Sequence, residues 1–235
     1  MMMHQSVVNQ PSVVNQPCRI KEVARHVLRV ASNQGHECIE LEWRLGHRQG
    51  HFRAGVARDS WVRLKARLDG SASFRVSHHV SLEKMGGGSD VRFNATNNTW
   101  IKKTRVAPAI EHDPLPGCPW TVRASVSTET PERPGNVASL VYERTKDRWS
   151  YHYKCWSIDL TKVRSNLPTH LDDDTETFEV EVELVDSGMM FECTAEYLVT
   201  WGWSIAEDMC RLMMPTDNGD VAFKATSTCD AALAR

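Results

Sequence analysis

Two stretches of the sequence place glutamates at every second position. Glu40 and Glu42 alternate with large apolar residues early in the chain, and Glu179, Glu181 and Glu183 do the same late in the chain. Successive side chains of a β-strand point to opposite faces, so each group of glutamates shares one face and leaves a hydrophobic row on the other. Carboxylate oxygens are hard ligands that suit Mg²⁺ or Mn²⁺ better than Zn²⁺. The stripes therefore indicate a divalent-metal site.

A cationic stripe lies between the two acidic ones. Arg144, Lys146 and Arg148 share one parity of a predicted strand, and guanidinium and ammonium groups match phosphate oxygens. Further polar side chains with strand alternation lie in the same region: Arg92, Lys103, Arg105, Arg123, Ser125, Ser127, Glu129, Ser150, Asp159 and Thr161. This pattern indicates that the ligand is a polyanion.

The charges are segregated by strand, which is unusual for a sheet that faces water. Like charges two residues apart on a strand lie about 7 Å apart. They repel by ~0.6 kcal/mol in bulk water but by ~2.4 kcal/mol at an effective dielectric of about 20. A solvated surface would mix the signs to relieve this repulsion. Because a metal and an anion would relieve it instead, the polar faces are predicted to converge in one phosphoryl-transfer site.

The elements that must position these stripes are mostly strands. Amphipathic helices are predicted over Cys18–Ala31, from Asp59-Ser60 to Gly70, and over Tyr197–Met213. About eight strands are predicted between them, with a His/Gly-rich loop after Gly46 and a proline-rich loop that leads to Trp120. The predicted fold class is mainly β (α+β), an antiparallel barrel with a few flanking helices. A barrel of about eight strands can enclose one small ligand.

Composition narrows the class of protein. The chain has 235 residues, 28 Lys and Arg, 30 Asp and Glu, and a formal net charge of −2, so no global charge marks a nucleic-acid binder. Seven cysteines without a Cys-x-x-Cys pair favour a reduced intracellular protein. No apolar run or secretory pattern indicates a membrane span or an export signal. We expect a disordered tail over 1–17, one catalytic domain over 18–215 and a loose tail over 216–235.

Four motifs in order carry a family resemblance. They are Glu40-Leu41-Glu42-x-x-x-Gly46, then Arg123-x-Ser125-x-Ser127-x-Glu129, then Arg144-x-Lys146-x-Arg148-x-Ser150-Tyr151 followed by Ile158-Asp159-Leu160-Thr161-x-Val163, and then Glu179-x-Glu181-x-Glu183-Leu184. From about Ile39 to Leu184 the chain resembles the metal-dependent RNA 5′-triphosphatases of fungi and protozoa, the mRNA-capping branch of the triphosphate tunnel metalloenzymes. The resemblance implies a topologically closed tunnel of eight antiparallel strands. It also implies hydrolysis of the γ-phosphate of triphosphate-ended RNA, which leaves a diphosphate end for capping.

The resemblance also implies roles for single residues. The metal would be Mg²⁺ or Mn²⁺, and its ligands would be Glu40, Glu42, Glu181 and Glu183. Residues implied to act in catalysis are Glu129, which would orient or deprotonate the attacking water, and the cations Lys146, Arg148, Arg123, Lys103, Arg92 and Arg144. Of these, Lys146, Arg148, Lys103 and Arg92 would contact phosphate. Residues implied to support them are Asp159, Thr161, Ser150 and Glu179.

One departure and three rival hypotheses remain at this point. Arg44 stands where related tunnel enzymes often have lysine, which disfavours a cyclase or thiamine-triphosphatase type of member. The rivals are a tunnel phosphatase for inorganic triphosphate or nucleoside triphosphates, a non-catalytic barrel that binds polyphosphate or RNA ends, and a scaffold with a solvated charged sheet. The capping role implies the 5′-triphosphate RNA end and a guanylyltransferase as partners and the nucleus as location. The sequence leaves the oligomeric state open.

Overall fold

A closed sheet forms the centre of the computed structural model, which describes residues 16–86, 90–166 and 176–215. The strands are β1 (Ile39–Gln49), β2 (His51–Ala54), β3 (Arg75–Met85), β4 (Val91–Asn94), β5 (Thr99–Arg105), β6 (Ile110–His112), β7 (Thr121–Pro131), β8 (Tyr142–Tyr153), β9 (Trp156–Ser165) and β10 (Glu176–Leu184). The helices are α1 (Gln16–Gln34), α2 (Arg58–Asp69), α3 (Met189–Glu192) and α4 (Ala195–Met213), with 3₁₀ turns at His36–Cys38 and Val137–Ser139.

Eight of these strands close into a barrel. They follow the order β1-β10-β9-β8-β3-β4-β5-β7, and β7 pairs with β1 to complete the circle. Every pairing is antiparallel, and the closing pair runs in register from Ile39 opposite Thr128 to Gly46 opposite Thr121. The predicted eight-stranded antiparallel barrel is therefore confirmed.

Two short strands lie outside this circle and differ from the sequence-based prediction. β2 pairs with the end of β1, and β6 pairs with β7. We predicted both segments as loops, one rich in His and Gly and the other rich in proline. A strand of three or four residues is too short for its alternation of side chains to be recognised in the sequence. Pairing with a neighbouring strand therefore decides the structure of these segments.

The outer face of β1, β7, β9 and β10 packs against helices α1, α2 and α4. Leu41, Trp43 and Leu45 on this side of β1 are fully buried. Gly202 of α4 lies against the indole of Trp43, and a Cβ at this glycine would come within 2.4 Å of the ring. The absence of a side chain at Gly202 therefore lets the helix approach the strand closely.

The helices are joined to one another at their ends. The side chain of Thr194 caps α4 by accepting a hydrogen bond from the backbone N–H of Tyr197 at 3.2 Å. At its other end, guanidinium groups of Arg63 and Arg67 on α2 donate to the last carbonyls of α4. None of the helices in the described ranges is long and apolar enough to cross a membrane.

The predicted helix boundaries need small corrections. α1 and α4 each begin two residues before the predicted start, and α2 begins at Arg58 instead of after an Asp59-Ser60 cap. Ala57 occupies the N-cap position of α2, without a capping side-chain hydrogen bond. Residues 1–15 and 216–235, predicted as tails, lie outside the described residues, so the domain limits stay a prediction.

Candidate active site

The inner face of the barrel brings the charged stripes together in one cavity of about 290 Å³. Predicted site residues that line it are Glu40, Arg92, Lys103, Glu129, Lys146, Arg148, Glu181 and Glu183. Lining residues that the sequence analysis did not assign to the site are Arg44, His79, Ser81, Glu83, Asn94, Asn97 and Ile101. Carboxylates of β1 and β10 thus lie opposite the ammonium and guanidinium groups of β5 and β8.

The acidic side of the cavity is built by two neighbouring strands. Glu42 of β1 lies directly opposite Glu183 of β10. Hydroxyl groups of β7 hold the β1 carboxylates, because Ser125 donates to Glu42 at 2.8 Å and Ser127 donates to Glu40 at 2.9 Å. These hydrogen bonds fix the orientation of oxygen atoms that would otherwise repel one another.

Part of this acidic side, around Glu40 and Glu183, has more negative charge than the neighbouring cations offset. Burial, and then the charges of Glu40 and Asp159, raise the pKa of Glu183 to about 8. Burial and the adjacent Glu42 likewise raise the pKa of Glu40. A carboxyl pKa moves upward when the surroundings disfavour its charged form. Burial would also raise the pKa of Glu42 and of Glu181, but the charge of Arg44 lowers both, so positive charge is lacking around Glu40 and Glu183.

A hard divalent cation fits that deficit. Arg44 Nε lies 2.8 Å from Glu181 Oε1, yet this oxygen accepts no hydrogen bond in the described structure. The two atoms are close enough for an ion pair but are not aligned for a hydrogen bond. A lone pair of Glu181 Oε1 therefore stays available. Within the described ranges, no three acidic, His or Cys side chains already surround one point. Lys103 Nζ instead bridges Glu40, Glu42 at 3.5 Å and Glu129 at 3.8 Å.

Arg148 is held by three neighbours on the cationic side. Its guanidinium donates to Asp159 at 2.7 Å, to the Thr161 hydroxyl at 3.1 Å and to Glu181 at 3.3 Å. Burial alone would lower the pKa of Arg148, but the charges of Glu181 and Asp159 raise it. Ser157 donates to Asp159 at 2.5 Å. The guanidinium is therefore fixed and permanently charged where it faces the cavity.

Lys146 and Arg144 share an anchor that the sequence analysis missed. Glu83 of β3 lies 2.9 Å from Lys146 Nζ and 2.7 Å from Arg144 Nη2. Burial would raise the pKa of Glu83, but these two cations lower it to about 2. Burial, followed by the charge of Arg144, lowers the pKa of Lys146 to about 8. Serine, histidine and glutamate alternate along residues 77–83, and this signal could have identified the strand.

The remaining predicted residues lie around this cavity without lining it. Arg144 is turned toward Glu83, and Asp159 and Thr161 contact Arg148. Ser150 is buried opposite Asp159, and Glu179 lies opposite Thr161. Glu42 faces an adjoining cavity of about 270 Å³. Arg123 stacks on Phe52, 4.2 Å from the ring centre.

Comparisons with known proteins agree with this architecture. The family model described as "mRNA capping enzyme, beta chain" matches residues 73–196. The 5′RNA triphosphatase A449R of Paramecium bursaria Chlorella virus 1 is 29% identical over 174 residues, which cover 73% of this chain and 88% of that protein.

Solved structures of Pct1 RNA triphosphatase from S. pombe share the fold. The free protein aligns with a TM-score of 0.62 at 20% identity over 90% of this chain and 97% of that chain. The complex with the Spt5 CTD aligns with a TM-score of 0.64 at 21% identity over 89% and 97%. Since the family model covers more than half of the sequence, the chain belongs to the mRNA triphosphatase family, that of the beta chain of the mRNA capping enzyme.

Proposed function

We propose that this chain hydrolyses the γ-phosphate of 5′-triphosphate-ended RNA and leaves a 5′-diphosphate end for mRNA capping. The observation that carries the proposal is the single cavity in which Glu40, Glu181 and Glu183 lie opposite Lys146 and Arg148. A chain terminus rich in negative charge and a hard cation are the two ligands that this arrangement suits. Membership of the mRNA triphosphatase family supports the same substrate.

The reaction needs positioning and charge stabilisation more than covalent chemistry. Lys146 and Arg148 would bind non-bridging oxygens of the γ-phosphate, over which charge is spread in the transition state. Glu129 would orient a water molecule whose oxygen attacks the γ-phosphorus. The bond to the β–γ bridging oxygen breaks as the new bond forms, and the products are orthophosphate and RNA with a diphosphate end.

The metal proposed for the site is Mg²⁺ or Mn²⁺, since all four proposed ligands, Glu40, Glu42, Glu181 and Glu183, are carboxylates. A bound cation would supply positive charge beside the γ-phosphate and the oxygen that leaves. Binding can be measured without catalysis, because a ligand that binds only the folded state raises its melting temperature. We expect Mn²⁺ to raise the melting temperature of the wild type and to have a weaker effect on Glu40→Gln and Glu183→Gln.

The decisive experiment is release of phosphate from RNA that carries a γ-labelled 5′-triphosphate, in the presence of Mg²⁺, Mn²⁺ or a chelator. We expect release with metal, none with the chelator, and a diphosphate end on the remaining RNA. Free tripolyphosphate serves as the competing substrate. Hydrolysis of tripolyphosphate with no release from RNA would replace this proposal with an inorganic triphosphatase, and binding without release from either would indicate a non-catalytic barrel.

We also propose a functional partner and a location. The diphosphate end is the substrate that a capping guanylyltransferase consumes, so such an enzyme must act next on the product. We therefore propose that the chain works in the nucleus, where new transcripts receive caps. Microscopy of the tagged full-length chain in its own cells tests the location, and exclusion from the nucleus would overturn it.

A further inference from the structure

The two ends of the barrel interior differ in chemistry. Arg123 and Glu129 share one face of β7, about 20 Å apart along the strand. Glu129 lines the 290 Å³ cavity together with His79 and Asn97. Arg105 lines the adjoining 270 Å³ cavity, close to Arg123. We call the end with Arg105 and Arg123 the arginine mouth.

The two cavities adjoin, because Arg92 and Lys103 line both of them. Ser125 and Ser127 of β7 line the cavity of the arginine mouth, and their hydroxyls hold Glu42 and Glu40. A linear anion could therefore extend from the carboxylate cluster toward Arg105 without leaving the barrel. With volumes of about 290 and 270 Å³, the two cavities have room for more than a γ-phosphate.

The cations of the arginine mouth differ from the others in their pairing. Arg44, Arg92, Lys103, Lys146 and Arg148 each form an ion pair with a carboxylate. In the described part of the chain, Arg105 and Arg123 form none. Arg123 Nε is buried without a hydrogen-bond partner there. An unpaired buried donor costs stability, so an anion that contacts Arg123 would remove this cost.

Electrostatic repulsion strengthens the case for an anion at this mouth. Burial lowers the pKa of Arg123, and the nearby charges of Arg44 and Arg105 lower it further, against smaller opposing contributions from Glu42 and Glu111. Phe52 covers one face of the Arg123 guanidinium. A planar guanidinium with an N–H that lacks a partner is suited to the oxygen atoms of a phosphodiester.

The direction of the proposed hydrolysis determines which part of the substrate lies in the arginine mouth. In-line displacement places the attacking water and the leaving oxygen on opposite sides of the γ-phosphorus. If Glu129 orients the water, the RNA diphosphate must leave toward the end away from Glu129, which is the arginine mouth. The same geometry frees orthophosphate on the Glu129 side.

We infer that the RNA chain enters the tunnel through the arginine mouth, where Arg105 and Arg123 bind its α-phosphate and first internucleotide phosphate. This inference rests on the proposed function, since it concerns the same hydrolysis. Orthophosphate leaves past Glu129, so substrate and product use different ends. The mouth selects RNA over free tripolyphosphate, because tripolyphosphate has a third phosphate at the α position but no internucleotide phosphate to contact these arginines.

The test compares kcat/KM for a triphosphate-ended RNA oligonucleotide with kcat/KM for tripolyphosphate in each variant. We expect Arg105→Ala and Arg123→Ala to lower the ratio of RNA to tripolyphosphate at least ~10-fold. Each lost phosphate contact should also reduce the slope of log affinity for RNA against log salt by about 0.7. Arg75→Ala is the charge-matched control, since Arg75 is exposed on the strand that carries His79.

The outcomes separate this inference from the proposed function. An unchanged ratio and salt slope in Arg105→Ala would overturn the inference, and Arg105 is exposed enough that its removal should leave the fold intact. A fall of the ratio in Arg75→Ala or His79→Ala, but not in Arg105→Ala, would assign the RNA to the opposite end. Failure of the wild type to release phosphate from RNA would instead overturn the proposed function.

Discussion

The two faces of β1 are both largely buried, but one packs against apolar groups and the other presents charged side chains to the tunnel. Leu41, Trp43 and Leu45 pack against α4 and other apolar groups, whereas Glu42 and Arg44 alternate with them and face the tunnel. The apolar face stabilises the fold by removing surface from water. The charged face is held by ion pairs whose attraction is largely offset by the cost of desolvation. Stability and reactivity are therefore carried by alternate residues of one strand.

The largest effect expected from this comparison is on the apolar face. Trp43 is fully buried, and its ring makes edge contacts with Trp156 and Trp203 at centroid distances of 5.4 and 6.4 Å. We expect Trp43→Ala to lower the free energy of unfolding by about 3–5 kcal/mol, measured by urea denaturation. Trp43→Phe should cost less, because the indole N–H has no partner in the described structure. A loss below about 1 kcal/mol for the alanine variant would contradict this division.

A change on the charged face should affect rate before stability. We expect Arg148→Ala to lower turnover of triphosphate-ended RNA at least ~100-fold, or about 2.7 kcal/mol, because a preorganised charge opposite the γ-phosphate is lost. Arg148→Lys should recover part of the rate, since it keeps the charge but not the contacts to Asp159 and Thr161. Arg164→Ala on the surface of β9 is the control. Equal turnover in the Arg148→Ala and Arg164→Ala variants would exclude Arg148 from the reaction.

A smaller effect on rate is expected at Glu83, which positions charged side chains without being assigned a direct contact with phosphate. We expect Glu83→Gln to lower kcat about 10-fold, or ~1.4 kcal/mol, because Arg144 and Lys146 lose a shared anchor. KM for RNA should not rise, since removal of a carboxylate makes the tunnel more positive. Glu143→Gln removes a matched glutamate from a partly exposed pair with Lys84 and should change neither constant. Steady-state phosphate release measures both variants, and a raised KM in Glu83→Gln would argue against a positioning role.

The main charged stripes were predictable because charged and apolar residues alternate along their strands. Glu40, Glu42 and Arg148 belong to strands long enough for the period of two to emerge from sequence, and each strand has an apolar partner face. The order of motifs then sufficed to predict the barrel and the family.

Pairing between distant strands was not predictable in the same way. Glu83 reaches Arg144 because β3 lies beside β8, a partnership that nothing local specifies. The contact between Arg44 and Glu181 was not predictable for the same reason, since it depends on β1 and β10 being adjacent. The exposure of Arg105 and the partial burial of Arg123 likewise follow from closure of the barrel, not from either segment alone.

The contact between Gly202 and Trp43 links the exterior helix to the chemistry inside. The indole occupies the space that a methyl group at position 202 would need, and Trp43 is flanked in the chain by Glu42 and Arg44. A larger residue at 202 would displace the ring of Trp43. Because Glu42 and Arg44 are bonded to Trp43 by single peptide units, their charged side chains would move with it. Selection for hydrolysis should thus preserve a glycine that never meets the substrate.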